Sequence, residues 1–210
     1  MISRVLVGLS AGLILMATPV AAGAMEPMET IKAPIDAVIA ILNDPQYQTG
    51  GTTKSAQRNA IWKHVKPMFD FEEISKRTVA RHWQDFNDAE KRAFTEVFAQ
   101  FLGNTYIDKV QGEYHNEQIV YLGQETLSDR YAEVRTQIVR ETVEIPANYR
   151  MLKSGEGHWK IYDVIVEGVS LVKNYRTQFA SILSREKPAQ LIQRLDEKLA
   201  QQNKQLSDKG

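Results

Sequence analysis

The apolar residues of this chain change their spacing twice, and that change limits the fold more than any other feature. Up to about residue 110 they recur every three or four positions, the repeat of an α-helix packed on one side. Ile31, Ile35, Val38, Ile39 and Leu42 form one such set, closed by Asn43-Asp44-Pro45. After a polar Gly/Thr linker at 48–54, Ile61, Trp62 and Val65 form a second, over about 54–66. From about 117 the spacing falls to two. In YAEVRTQIVR, Ala132, Val134, Thr136 and Ile138 share one face, and Glu133, Arg135 and Gln137 the other. Ile119 and Tyr121 begin another strand. ANYRML sets Tyr149 and Met151 opposite Arg150, SGEG at 154–157 is a turn, and HWKIYDVIV supplies a fourth strand. Beyond Glu167-Gly168 the helical spacing returns over 169–183, and Pro188 opens a last amphipathic helix to about 204. Strands joined by short turns make an antiparallel sheet with one covered face. The expectation is therefore an α+β fold: a curved antiparallel sheet of about four strands covered by helices, an NTF2-like core with helical additions.

Two helix starts are marked by side chains. Asp70 with Glu73, and Asn87 with Glu90, have the spacing of a capping box. The first opens a helix carrying Phe71, Ile74 and Val79. The second opens a long helix to about Val110, with Phe94, Val97, Phe98, Phe101, Leu102, Tyr106 and Ile107. That set spreads wider than the roughly 100° stripe of a helix packed on one side. The long helix should bury two faces, one on other helices and one on a sheet or cavity.

The first 24 residues follow another logic. MISRVLVGLSAGLILMATPVAAGA carries one basic residue, Arg4, then an apolar run, then small residues ending in Ala22-Gly23-Ala24. This is the pattern of a cleaved secretory signal; the Gly, Ser and Pro within the run argue against a retained anchor. Its removal takes away Arg4 and no acid, so a chain with 26 basic and 26 acidic residues moves from net 0 to net −1. Such a balance offers nucleic acid no basic stripe. There is no cysteine, which excludes lipid attachment at a signal cysteine, thiolate chemistry and disulfide staples. An exported chain without disulfides points to a bacterial periplasm, with residues 25–210 as one domain: mostly helical over 25–115, sheet over 116–167, helices over 168–210.

Catalytic motifs are missing. His64, His82, His115 and His158 are not spaced to share a metal, and no nucleophile elbow, phosphate loop or dinucleotide fingerprint occurs. Asp163 is the exception, a carboxylate inside the apolar segment IYDVIV. A buried charge must be paired or hydrogen-bonded. It is expected either to bond neighbouring backbone, Arg or Tyr groups, or to act as a general base in a cavity enzyme, which would need a nearby His or second acid. The remaining excess is apolar, and builds either a large closed core, as in a structural or chaperone-like interaction protein, or a core with a hole for an apolar ligand.

WKIYDVIVEGVSLVKNYRTQFASIL (159–183) resembles the signature C-terminal stretch of the MlaC, or toluene-tolerance, family. FDFEEISKRTVARHW (69–83) and AEKRAFTEVFAQFLGNTYIDKV (89–110) are similar to two further family motifs, with Arg81-His82 where many relatives have a small-residue turn. The resemblance spans about 30–200. It implies a periplasmic phospholipid carrier, not an enzyme, with no cofactor besides its bound lipid cargo. It also implies movement of lipid between an outer-membrane lipoprotein–porin complex and an inner-membrane ABC transporter with an MCE-domain ring; a monomer is expected. A related branch implies hopanoid or another amphiphile as alternative cargo. The lipid wall expected on this basis comprises Val134, Ile138, Tyr149, Met151, Ile161 and Ile165 of the sheet and Phe98, Leu102 and Tyr106 of the long helix. Ile74 and Val79 of the helix after Asp70 join it, with Val169, Leu171, Tyr175 and Phe179 of the segment after Gly168.

Overall fold

A computed structural model describes residues 25–47, 51–155 and 157–208. The expected signal segment, the first part of the Gly/Thr linker and one residue of the 154–157 turn lie outside the described residues. Four helices come first: α1 (Pro27–Asn43), α2 (Gly51–Val65), α3 (Phe71–Val79) and α4 (Asp88–Glu113). A sheet follows: β1 (Gln118–Ser128), β2 (Tyr131–Arg140), β3 (Val143–Lys153), β4 (Trp159–Val166) and β5 (Val169–Ser170). Helices α5 (Leu171–Leu183) and α6 (Pro188–Asp208) close the chain. The sheet is an antiparallel meander in the order β1-β2-β3-β4-β5.

The α+β expectation holds, with three corrections of detail. Helix α2 begins at Gly51, so residues 51–54 are its first turn rather than linker. Val169 and Ser170 are not helical but pair back on Val166 and Ile165 as a fifth strand. They can do so because Glu167 and Gly168 both take positive φ (50° and 80°), as a two-residue hairpin turn twisting with its strands requires. The Asp70–Glu73 box is half made. The Glu73 backbone N–H donates to Asp70 Oδ1 at 2.9 Å, but the Glu73 carboxylate turns to Arg77, 2.6 Å away. The Asn87–Glu90 box is complete, with both hydrogen bonds at 2.9 Å.

The core falls into three clusters. Between α3, α4, α5 and α6 lies an aromatic one, in which Phe94, Phe98, Tyr175 and Phe179 meet with ring centres 5.1–5.7 Å apart, several edge-to-face. A second packs Ile31 of α1 and Met68 on the sheet face of Ala132, Val134, Met151, Trp159 and Ile161. The third is small: Leu42, Ile61 and Ile107, joining α1, α2 and α4. Helix α4 takes part in the first and third, which accounts for its broad apolar surface.

Phe98 is fully buried at the centre of the aromatic cluster. Phe98→Ala should lower stability by about 3–5 kcal/mol, the usual range for truncating a core aromatic. Urea unfolding followed by circular dichroism measures it; a loss below about 1 kcal/mol would mean that this cluster does not hold the helices together.

Candidate functional site

The three clusters do not close on one another. Where they would meet, a cavity of about 400 Å³ remains. Its walls come from seven elements and one connecting residue. Trp62 and Val65 come from α2, Phe69 from the connection to α3, and Phe71 and Ile74 from α3. From α4 come Leu102, Gly103, Tyr106, Ile107 and Val110 at helical spacing. The sheet contributes Tyr149, Asp163, Val164 and Val166; Val169, Leu171 and Asn174 follow from β5 and α5. Ile74, Leu102 and Ile107 are buried, whereas Val110, Val166 and Val169 stand 42%, 39% and 63% exposed at the rim. An apolar interior with few polar groups is the composition of a site for a largely apolar ligand.

The sheet's contribution depends on a β-bulge. Met151 pairs with Ile161 and Arg150 with Asp163, so Tyr162 has no partner on β3. One extra residue reverses the alternation beyond it. Ile161 faces the same way as Met151, but past the bulge it is Val164, opposite Tyr149, and Val166, opposite Ala147, that take this inner face. The displaced Tyr162 ring lies under the Arg77 guanidinium, 4.1 Å from ring centre to carbon.

Asp163 is buried and its oxygens are engaged. Oδ1 accepts the backbone N–H of Val172 at 3.0 Å, Oδ2 accepts the Ser170 hydroxyl at 2.7 Å, and Arg150 Nη1 stands 3.6 Å away. The Ser170 hydroxyl in turn accepts the N–H of Lys173 at 3.0 Å. The carboxylate thus sits on the first turn of α5, where free N–H groups and the helix dipole favour negative charge. Among the described residues lining the cavity there is no histidine and no second carboxylate. This is the hydrogen-bonded role expected for Asp163, and an acid–base pair is not assembled around it. The other ionisable lining groups are phenols. Burial raises the pKa of Tyr149, partly offset by a hydrogen bond with Thr136. Burial likewise raises that of Tyr106, partly offset by a hydrogen bond with Tyr175. Both stay neutral at physiological pH.

A family model described as MlaC protein matches residues 32–197. The chain belongs to the MlaC family. It is 19% identical over 165 residues to the intermembrane phospholipid transport system binding protein MlaC of Haemophilus influenzae, covering 77% of this chain and 72% of that one. It is 26% identical over 149 residues to the toluene tolerance protein ttg2D of Pseudomonas putida, covering 68% of this chain and 65% of the relative. The fold superposes with a TM-score of 0.72 and 25% identity on the phospholipid-binding protein from Ralstonia solanacearum, solved in complex with a phospholipid. That match covers 85% of this chain and 99% of the other.

Of the residues expected to form the lipid wall, Ile74, Leu102, Tyr106, Tyr149, Val169 and Leu171 line the cavity. Val79, Phe98, Tyr175 and Phe179 belong instead to the aromatic cluster, which is closed by α6. Val134, Met151 and Ile161 do lie on the inner face, but α1 covers them through Ile31. Ile138 is half-buried at the far end of β2, opposite Ile119 and Ile145. Ile165 faces away because of the bulge. Trp62, Val65, Phe69, Phe71, Ile107, Val110, Val164, Val166 and Asn174 were not foreseen at the site. Ile107 and Val110 could have been, since they continue the α4 face that carries Leu102 and Tyr106.

Removing the Asp163 carboxylate leaves the Val172 N–H and the Ser170 hydroxyl without their acceptor. Asp163→Ala should cost about 1–3 kcal/mol, and Asp163→Asn, which keeps one acceptor oxygen, less. Denaturant melts of both variants test this order; equal losses would show that the carboxylate is not what holds the start of α5.

Proposed function

We propose that this chain is a periplasmic carrier that holds phospholipid acyl chains in the cavity between α4, α3 and the β4–β5 corner. In this reading it works after its N-terminal segment is cleaved. It moves lipid between an outer-membrane lipoprotein–porin complex and an inner-membrane MCE-domain ABC transporter. The observation that carries the reading is the cavity itself, formed by a chain of the MlaC family and lined mostly by hydrocarbon, with neutral phenols, Asn174 and one hydrogen-bonded carboxylate, Asp163. The phospholipid held by the similar Ralstonia solanacearum protein supports it.

The physics suits the task. Two tails of about 16 carbons, at ~0.8 kcal/mol per CH₂, are held out of water by roughly 25 kcal/mol. A carrier cannot improve much on a bilayer and has no need to. It offers hydrocarbon for hydrocarbon, so exchange is close to neutral and a partner can drive it either way. No bond is made or broken, which fits a wall whose one carboxylate is committed to a helix end. The rival reading as a cavity enzyme needs an acid–base pair that the described lining does not offer.

Neighbouring residues of β4 provide the test. Val164→Asp places a charge in the cavity, whereas Ile165→Asp places one on the opposite side of the same strand. Protein purified from its host and analysed by native mass spectrometry, with lipid extraction after denaturation, should carry phospholipid as wild type and as Ile165→Asp. Val164→Asp should lose at least tenfold. A wild-type protein without extractable lipid would overturn the carrier reading, and another amphiphile in the extract would replace phospholipid as its cargo.

A further inference from the structure

A second hollow lies against the first. It is a cleft of about 340 Å³, open to solvent, between α2, α3, the connection carrying Trp83, and the first turns of α4. Trp62 and Phe71 line both hollows. Their rings, with centres 5.7 Å apart, form the partition between them. Trp62 lies on the bare backbone of Gly103. A Cβ there would approach the indole to 2.8 Å. Trp62 and Phe71 are therefore the two side chains that the apolar cavity and the cleft share.

The two hollows differ in chemistry. Lys66, Lys91 and Arg92 border the cleft, with Glu72 and Glu96 among them. Lys91 reaches Asp88 at 3.4 Å and stands 5.8 Å from the centre of the Trp83 ring. Lys66, Arg92, Glu72 and Glu96 make no ion pair among the described residues. Arg92 and Glu96 are four apart on α4 but in the less favourable order, cation toward the helix N-terminus. The cleft thus presents unpaired charge of both signs beside aromatic faces and adjoins a hydrocarbon-lined hole.

We propose that the cleft is the subsite for a zwitterionic phosphate-ester head group. Lys66, Lys91 and Arg92 take the phosphate, and Glu72 and Glu96 take an ammonium as it passes the Trp83 face. The attached tails cross between Trp62 and Phe71 into the cavity. Arg92 offers a planar fork suited to phosphate oxygens, the lysines compact point charges, and an ammonium gains from carboxylate and indole together. This deepens the carrier reading and rests on it. The residues sit at the surface, so the contacts are screened and released easily, as a carrier that must unload requires.

The test is a competition for uptake. Wild-type protein is exchanged against vesicles holding equal amounts of phosphatidylethanolamine, phosphatidylglycerol and diacylglycerol with identical tails, and the bound lipids are counted by native mass spectrometry. Wild type should favour both phospholipids over diacylglycerol, and phosphatidylethanolamine over phosphatidylglycerol. Lys66→Gln/Arg92→Gln should lower the phospholipid-to-diacylglycerol ratio at least fivefold while diacylglycerol uptake continues. Glu72→Gln/Glu96→Gln should abolish only the preference for phosphatidylethanolamine. Because each ratio is read within one sample, it does not depend on how much variant folds. Unchanged ratios in both variants overturn the proposal while leaving the carrier intact; no uptake of any lipid by wild type overturns the carrier as well. Inorganic phosphate binding equally to lipid-free and lipid-loaded protein, followed by shifts of the Arg92 side-chain resonance, would mark a free-anion site and overturn the head-group placement.

Discussion

One carboxylate joins the sheet to the helices around the cavity. Asp163 reaches from β4 to the first turn of α5 and accepts both the Val172 N–H and the Ser170 hydroxyl. This link adds to the two-residue strand β5, which is too short to fix an angle alone, and to the aromatic cluster that packs α5 on α3 and α4. With it, the corner from Val166 through Glu167-Gly168 to Leu171 is positioned, and that corner is one wall of the cavity. A residue that looks catalytic by its burial is therefore architectural. The charge costs little to bury because its partners include a helix N-terminus and Arg150.

The bulge at Tyr162 serves the same corner. Before it, β4 presents Ile161 to a layer sealed by α1; after it, Val164 and Val166 face the cavity. An unbroken alternation would turn Ile165 inward in their place and shift Asp163 relative to Ser170. Tyr162 does not waste the extra position, since its ring supports Arg77, whose carbonyl in turn accepts Arg176 Nε of α5 at 2.8 Å. Bulge, carboxylate and cation–π contact all converge on the placement of α5.

Much of this was legible in the chain as written. The change from helical to strand spacing near residue 117, the Asn87–Glu90 box and the break at Glu167-Gly168 each rest on local chemistry, and each stands where that chemistry puts it. The cavity wall was less legible, for two physical reasons. A period-two pattern carries no mark of an inserted residue, so Val164 and Ile165 exchange faces without any signal in composition. Nor does spacing reveal which partner covers an apolar face. Phe98 and Phe179 have the size and spacing of a pocket wall, and only the tertiary contact with α6 makes them closed core. Trp62 and Phe71 escaped for the converse reason, because their importance lies in what separates two hollows rather than in their own segment.

The cavity also sets an energetic condition on the fold. A sealed, empty apolar void of about 400 Å³ would cost on the order of 10 kcal/mol at the coefficient found for cavities left by core truncation. That is comparable with the whole stability of an ordinary domain. The chain meets this cost by keeping the hollow at the junction of three separately packed clusters, open at its rim, so that no one cluster depends on its being filled. In the proposed carrier, hydrocarbon entering it would restore contacts to the lining and stabilise the folded state by linkage. The stabilisation is smaller than for a ligand that plugs a defect in a core, because the aromatic cluster and the α1–sheet layer are already complete. For the carrier proposed above, this arrangement would let the fold stand unloaded and let cargo leave without taking the structure's main support with it.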